Sequence, residues 1–163
     1  MGSATPDNTV GTSTPWIPPR WFELAAWRIQ RLQYRALRGR TVLRAPERGG
    51  KAGRLQLRTT GRRTGRERAV VLCYWLDSGR YVTLAMNGWQ PEPPAWWLNL
   101  EAHPDAVVQT VDGEVAVRGR AASGAERERL WAAFADYHGW GEGIDRYAAQ
   151  RPRETPVVVL EPR

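Results

Sequence analysis

Basic and hydroxyl side chains crowd the stretch from Leu55 to Arg68, which the sequence predicts to be two strands joined by a tight turn. Gly61 and Gly65 supply backbone freedom at the bend, because only glycine enters positive φ at little steric cost. Arginine forks, threonine hydroxyls and free backbone N–H groups are donors that bind a phosphate or a carboxylate. The side-chain donors are Thr59, Thr60, Arg62, Arg63, Thr64, Arg66 and Arg68. The stretch predicts either an anion-binding turn or a solvated basic hairpin tip, and the residues alone leave both open.

Other residue types that could do acid–base or nucleophilic chemistry are few. His103 precedes Pro104 at a predicted helix end, which indicates a structural role, whereas His138 follows Tyr137 and is a candidate catalytic residue. Cys73 is the only cysteine, so an intramolecular disulfide is excluded, and we expect a small buried apolar residue rather than a nucleophile. No two ligand-type residues have the spacing of a metal site, and no Ser/His/Asp set is evident.

The composition of the 163-residue chain is that of one soluble globular domain, with 42% hydrophobic and 25% charged residues. No apolar run approaches the roughly 20 residues of a membrane-spanning helix, and no signal peptide is evident. The formal net charge of +7 favours anionic partners, namely a phosphorylated cofactor, a lipid surface or nucleic acid. Nine tryptophans are many for this length and indicate a lined pocket or an interface.

Two segments precede the predicted β domain. Residues 1–19 are rich in Gly, Ser, Thr and Pro and predict a disordered arm. Residues 20–39 predict an amphipathic helix, because apolar side chains from Trp21 to Leu37 recur on one face and arginines line the opposite face. Such a helix either packs on its own domain with a solvated basic face or lies on an anionic membrane surface. The residues leave both interpretations open.

Residues 40–163 predict a mainly β, α+β domain, a small barrel of about six mostly antiparallel strands with helices at the crossings. Strands are predicted at 54–60, 67–76, 80–86, 106–111, 114–121 and 155–160, and helices at 95–102, 123–137 and 144–150. The continuous apolar run from Val70 to Leu76 predicts a strand in the core of the sheet. Ser123 and Glu126 have the spacing of a capping box.

Four motifs follow one another along this domain. They are Thr59–Gly65 followed by Arg68, Tyr81–Gly88, Pro94–Leu100 followed by His103 and Pro104, and Thr155–Pro162. In this order and spacing they resemble the deazaflavin (F420)-dependent nitroreductase family of actinobacterial oxidoreductases, from about residue 40 to the C-terminus. The resemblance implies a split β-barrel of the flavin-reductase and pyridoxamine-oxidase type. It also implies binding of coenzyme F420, an 8-hydroxy-5-deazaflavin with a phosphodiester and an oligoglutamate tail.

The resemblance further implies which residues hold the cofactor. The hairpin and the basic residues before it are expected to hold the phosphate and the tail, whereas strand ends and the short helix are expected to line the ring. The implied phosphate and tail residues are Lys51, Arg54, Arg62, Arg63, Thr64, Gly65 and Arg68, and the implied ring residues are Val70, Val71, Leu72, Ala85, Met86, Asn87, Gly88, Trp96 and Trp97. One of the two tryptophans is expected to be a core residue, and Trp97 is the preferred candidate.

The function that this implies is hydride transfer from reduced F420 to an electrophilic small molecule such as a quinone, a conjugated enone or a nitro compound. The candidate proton donors are Tyr74, Tyr137, Tyr147, His138 and solvent, since a neutral phenol can donate a hydrogen bond to an incipient oxyanion. The alternatives are an FMN- or haem-binding split-barrel protein and a non-enzymatic binder of cofactor or anionic lipid.

Partners and setting follow from the same reasoning. Nucleic-acid binding is not expected, because the aromatic residues are not interleaved with basic ones on one exposed strand face. The expected location is the cytoplasm, with peripheral contact at the inner face of the membrane through residues 20–38 left open. A monomer and a homodimer are both compatible with the sequence.

The chain departs from the well-known nitroreductase member in the expected substrate region. Cys73 stands where that protein has a tyrosine, and Met86 and Asn87 stand where it has a small hydroxyl residue and a lysine. Its late tyrosine cluster is reduced here to Tyr137 and Tyr147. The resemblance therefore implies the cofactor rather than a particular substrate, and it does not imply activity on bicyclic nitroimidazole drugs.

Overall fold

The computed structural model describes residues 43–87, 91–137, 144–149 and 151–163. The predicted arm at 1–19, the predicted helix at 20–39, Gly88 and His138 lie outside these ranges. The described strands are β1 (Gly53–Thr60), β2 (Glu67–Asp77), β3 (Arg80–Leu84), β4 (Asp105–Thr110), β5 (Gly113–Ala121) and β6 (Val157–Pro162), and the described helices are α1 (Ala95–Ala102), α2 (Gly124–Phe134) and α3 (Ile144–Ala148).

The described strands and helices lie where the sequence predicts them, and only their ends differ. β3 stops at Leu84 rather than at residue 86, because the N–H of Met86 turns back to the carbonyl of Leu84. β6 begins at Val157 rather than at residue 155, since Pro156 has no N–H to donate to a ladder. α2 ends at Phe134, three residues earlier than predicted.

The six strands form a closed barrel in the order β1-β2-β3-β6-β5-β4, and β4 pairs with β1 to complete the circle. Each neighbouring pair is antiparallel. Closure leaves the described sheet without a free edge. The predicted barrel is therefore confirmed.

Two apolar clusters lie on opposite faces of this sheet. In β6, Val158 and Leu160 belong to one cluster and Val157 and Val159 to the other, as the two-residue period of a strand requires. The first cluster receives side chains from every strand and therefore fills the interior of the barrel. The second, which we call the outer cluster, joins β2, β3 and β6 to α2 and α3; it includes Trp75 against Phe134, with 5.0 Å between ring centroids.

The predicted core strand in β2 is only partly buried. Leu72, Tyr74 and Trp75 are buried, but Leu76 is 49% exposed. The prediction is wrong for Leu76 because β2 runs on to the turn that begins β3, at the rim of the barrel.

Helix α1 closes the end of the barrel at which β1 meets β2. Trp96, Trp97 and Leu100 from this helix belong to the interior cluster, so their burial holds α1 against the strands. Gly119 of β5 makes this approach possible, since a Cβ there would lie 3.0 Å from a methyl group of Leu100.

The predicted capping box at the start of α2 does not form. Ser123 occupies the N-cap position, but its side chain makes no capping hydrogen bond. Glu126 instead accepts hydrogen bonds from Arg120 at 2.6 and 2.9 Å and from Arg80 at 3.0 Å. Charge-assisted bonds to two guanidinium groups are stronger than one bond to a backbone N–H, so the carboxylate turns towards the barrel.

Candidate cofactor site

The turn between β1 and β2 is closed by its own backbone hydrogen bonds. The N–H of Gly61 donates to the carbonyl of Arg66 at 2.8 Å, and the N–H groups of Thr64 and Gly65 donate to the carbonyl of Gly61 at 3.2 and 2.8 Å. Gly65 has a φ of 65°, and a Cβ on Gly61 would lie 2.9 Å from the carbonyl oxygen of Arg66, so both positions need glycine. The expectation of free N–H groups is wrong for Thr64 and Gly65. The Thr64 hydroxyl, which accepts a 3.4 Å bond from the N–H of Arg66, keeps its own proton for a ligand.

The arginines of this turn differ from most arginines of the barrel. Ion pairs to carboxylates are made by Arg58, Arg80, Arg118, Arg120, Arg127, Arg129 and Arg163. Within the described ranges no carboxylate pairs with Arg62, Arg63, Arg66 or Arg68, and all four are exposed. An anion would supply the missing partner at the turn, although Arg44, Arg48, Lys51 and Arg54 near the other end of β1 also form no ion pair in the described chain.

Asn99 of α1 is a site residue that the sequence reasoning did not single out. Its Oδ1 accepts hydrogen bonds from the backbone N–H of Arg62 at 3.2 Å and from Nη1 of Arg62 at 3.4 Å. Its Nδ2 donates to the hydroxyl of Thr59 at 3.2 Å. The sequence did contain a signal, namely an asparagine inside an apolar helical run. A buried amide needs hydrogen-bond partners, so such a residue indicates a specific polar contact.

The predicted ring residues of β2 do not share one wall. Val70 and Leu72 belong to the interior side. Val71 alternates with them, lies on the same face of β2 as Cys73 and Trp75, and so faces outwards. Three consecutive strand residues cannot line one side of a ring, because successive side chains point to opposite faces. The structure therefore sets the side chain of Val71 apart from those of Val70 and Leu72, and which of the three contact a ring stays a prediction.

The remaining ring candidates are also divided between the two faces. Ala85 is buried in the interior cluster, and Met86 packs on the outer cluster, with Asn87 half-buried after it. Trp96 and Trp97 are 5% and 7% exposed and meet edge to face, so the structure buries both tryptophans rather than one. The indole N–H of Trp96 is buried and finds no acceptor in the described part of the chain.

Lys51 and Arg54 do not join the arginines of the turn. Both are exposed, and Arg54 lies near the opposite end of β1 from Thr60. Arg54 and Thr60 are six residues apart along an extended strand, a distance of about 20 Å. A ligand that reached both groups would have to extend along the whole β1–β2 hairpin.

The two described tyrosine candidates lie on opposite faces of the sheet. Tyr74 is 2% exposed inside the barrel, where burial, together with Tyr81 and Asp112, raises its pKa to about 12. Tyr137 lies in the outer cluster, 6.4 Å from Trp75 between ring centroids, and burial raises its pKa as well. The structure does not bring the two phenols together, and the side chain of Tyr147 lies outside the described residues.

The other chemically active residue types have local explanations. Burial raises the pKa of the half-buried Cys73 thiol, although the Arg54 and Arg44 guanidinium groups act in the opposite sense. A neutral thiol agrees with the expectation of an unreactive residue. His103 is exposed at the end of α1, where its backbone N–H donates to the backbone carbonyl of Asn99. Among the described residues no group of three or more His, Cys, Asp or Glu side chains could hold a metal ion.

A six-stranded antiparallel barrel with a short helix packed at one end is the architecture of the split-barrel fold. The haem storage protein HutZ of Vibrio cholerae shares this fold at a TM-score of 0.50 and 16% identity over 68% of this chain and 81% of that one. The family profile of F420H(2)-dependent quinone reductases matches residues 26–162, so the chain belongs to that family. This confirms the deazaflavin-dependent class that the motifs indicated.

Curated relatives support the assignment. An F420H(2)-dependent quinone reductase of Mycobacterium tuberculosis strain H37Rv is 29% identical over 150 residues, which cover 88% of this chain and 97% of the relative. A second, putative F420H(2)-dependent quinone reductase of that strain is 32% identical over 113 residues, covering 67% of this chain and 89% of the relative.

Solved structures give the same picture. A structure described as an F420-H2 dependent reductase, FDR-A, matches at a TM-score of 0.59 with 28% identity, covering 66% of this chain and 93% of that one. A structure described as a domain-swapped dimer matches at 0.62 with 25% identity, covering 84% of this chain and 99% of that one.

Proposed function

We propose that this chain is an oxidoreductase that uses reduced coenzyme F420 to transfer a hydride to an electrophilic small molecule, with quinones as the first substrate class to test. Family membership supports the cofactor and the reaction type, and the relatives' names supply the quinone. The observation on this chain that carries the proposal is the group of arginines at the β1–β2 turn that form no ion pair with a carboxylate of the described residues. FMN and haem, the alternatives left open by the residues, are not favoured, because the matched family is defined by F420.

The described residues fit the chemistry of this cofactor. Its phosphodiester and glutamates need cationic donors, and Arg62, Arg63 and Arg68 offer guanidinium groups that carboxylates of the described chain do not occupy. A flat ring needs apolar walls and a few donors, and of the predicted ring residues the half-buried Val70, Val71, Met86 and Asn87 are the ones with surface left to offer. When bound, the cofactor supplies the hydride.

The protein's own contribution is binding, orientation and the exclusion of water. Guanidinium groups at the turn hold the charged end, and burial of α1 against the barrel fixes the position of its tryptophans relative to the turn. Tyr74 and Tyr137 have raised pKa values, so both phenols stay protonated at neutral pH and can only donate a hydrogen bond or a proton. Of these two, Tyr137 shares the outer cluster with Met86, whereas Tyr74 is enclosed within the barrel.

Titration of the full chain with F420, followed by cofactor fluorescence, tests the proposal directly. We expect saturable binding in the micromolar range or tighter, with FMN competing weakly. We also expect oxidation of reduced F420 to depend on both the protein and a soluble naphthoquinone. Absence of binding at micromolar cofactor would overturn the proposal, whereas binding without turnover on quinones, enones and nitro compounds would leave a cofactor-binding protein.

Peripheral contact of residues 20–38 with an anionic membrane surface stays a prediction, because these residues lie outside the described ranges. No helix in the described part of the chain is long and apolar enough to cross a bilayer. If the contact exists, the full chain should float with phosphatidylglycerol vesicles and a chain lacking residues 1–38 should not. Equal flotation of the two proteins would contradict it. A cytoplasmic location is likewise a prediction from the sequence.

A further inference from the structure

Asn99 is a polar residue on the apolar, buried side of α1. Its exposure is 5%, and its helix neighbours Trp96 and Leu100 are buried in the interior cluster. A leucine would suit such a position, whereas an amide is unfavourable there unless its polar atoms are hydrogen-bonded. Both polar atoms of Asn99 are in fact used, and every described side-chain bond that they make goes to the β1–β2 hairpin.

The chemistry of the partners fixes the orientation of this amide. Arg62 offers only donors, the backbone N–H and the guanidinium Nη1, so the acceptor Oδ1 must face it. The Nδ2 group must then face the hydroxyl of Thr59, which accepts one bond from it and lies 3.5 Å from the carbonyl of Arg68, to which it donates. One side chain of α1 thereby contacts the end of β1 and the turn, and reaches the start of β2 through Thr59.

We propose that Asn99 is a positioning residue for the anion site, which holds Arg62 in the orientation that binds the cofactor's charged end. This inference rests on the proposed function. Arg62 is exposed and has no carboxylate partner among the described residues, so without Asn99 its long side chain would sample many rotamers. Two bonds to a buried amide restrict the backbone and the guanidinium group together, and they occupy only one of the five guanidinium N–H donors. Pre-organised donors bind an anion more tightly because less freedom is lost on binding.

Helix α1, which carries Asn99, also carries the two buried tryptophans. Asn99 lies three residues after Trp96, so α1 sets the distance between the buried indoles and the Arg62 guanidinium group. A cofactor with a flat ring and a charged tail must satisfy both groups at once, and a single rigid helix keeps them in register.

A double-mutant cycle on the full chain tests the inference. Asn99→Leu is expected to weaken F420 binding about tenfold in the wild-type background and by much less in the Arg62→Gln background, where only the backbone bond to residue 62 remains to be lost. In an Arg63→Gln background, the matched control, the tenfold loss should persist. Thermal unfolding of Asn99→Leu should be close to wild type, since leucine is suited to a buried helix face. A purely structural role would instead lower the melting temperature and leave the affinity unchanged.

A second readout needs no cofactor. The amide of Arg62 lies in an exposed turn, and its hydrogen exchange in the free protein should be slower in wild type than in Asn99→Leu. If Asn99→Leu does not fold, Thr59→Val removes the acceptor of the Asn99 Nδ2 group and so loosens the amide that restrains Arg62, and Thr59→Ser is the variant that keeps this acceptor.

The outcomes separate the two proposals. Loss of affinity in Arg62→Gln without any loss in Asn99→Leu would overturn the role of Asn99 and leave the proposed function standing. Equal losses from Asn99→Leu with and without Arg62 would also overturn it. Unchanged affinity in Arg62→Gln would instead count against the anion site of the proposed function.

Discussion

Replacing Arg62, Arg63 and Arg68 together by glutamine is expected to weaken F420 binding by about 10³-fold or more, without unfolding the barrel. Each hydrogen bond to a charged group contributes about 1.5–3 kcal/mol, and three of them, screened by solvent at an exposed turn, amount to at least 4 kcal/mol, or about 10³-fold in affinity. The fold should survive because none of the three makes an ion pair within the described ranges. Fluorescence titration measures the affinity, and thermal unfolding measures the stability.

Arg118→Gln is the control for the loss of a paired surface arginine at the same end of the barrel. Arg118 is exposed and pairs with Asp105 at 3.2 Å, and Asp105 is also paired with Arg163, so replacing Arg118 removes a positive charge that a carboxylate already binds. We expect its F420 affinity to stay within about twofold of wild type, because Arg118 lies at the same barrel end but a carboxylate already pairs with it. The affinities of wild type and Arg118→Gln should fall with added salt, and that of the triple variant should fall much less. A triple variant that bound F420 like Arg118→Gln would remove the turn from the cofactor site.

Acidification is expected to destabilise the barrel between about pH 5 and pH 2, through two carboxylates that arginines surround. Asp77 accepts hydrogen bonds from Arg129 at 2.6 and 3.1 Å and is also paired with Arg80. Glu126 accepts from Arg120 and from Arg80, so the two carboxylates share one guanidinium group. This network connects the β2–β3 turn to the first turn of α2 and to β5.

The sign of the effect follows from the pKa values. Hydrogen bonds from Arg129 and then Arg80 lower the pKa of Asp77 to about 2, and bonds from Arg120 and then Arg80 lower that of Glu126 to about 2. A pKa that folding lowers contributes stability at pH values above the unfolded pKa and loses it as the pH falls through the folded pKa. Since the groups are partly exposed, we expect about 1–2 kcal/mol from each at neutral pH after screening.

Urea unfolding at pH 7 and at pH 3 measures this contribution. Glu126→Gln should be less stable than wild type at pH 7 and should lose less of its free energy of unfolding on acidification. Glu128→Gln is the control, because Glu128 is exposed on the same helix and forms no ion pair in the described part of the chain. Parallel pH profiles for wild type and Glu126→Gln would show that the network contributes nothing.

Much of the fold was predictable because its signals are local. Gly61 and Gly65 bracket the turn since one must approach a carbonyl closely and the other has positive φ, and both requirements mark glycine in the sequence. The closing strand follows Pro156 because proline cannot donate to a ladder. The separation of Val71 from Val70 and Leu72 was predictable in the same way, from the two-residue period of a strand.

The candidate site was predictable only in part. The arginine-rich turn is a contiguous motif, so its residues and its class of ligand could be inferred before any coordinates. Asn99 was not identified, because its partners Thr59 and Arg62 lie 40 and 37 residues away and meet it only when α1 closes the barrel end. The placement of Tyr74 and Tyr137 on opposite faces likewise depends on how α2 packs on the sheet.

By itself, the sequence determined that this protein has a glycine-bracketed cluster of arginines, a β-rich domain and the motif order of an F420-dependent family. These properties depend on residues that are neighbours in the chain or follow in a set order. Only the tertiary structure decided which arginines keep their charge free for a ligand. Arg80 and Arg120 pair with Glu126, which is 46 and 6 residues away, while the arginines of the turn form no ion pair with a carboxylate of the described residues. The physical reason is that Coulomb pairing depends on distance in space, and closure of the barrel sets that distance.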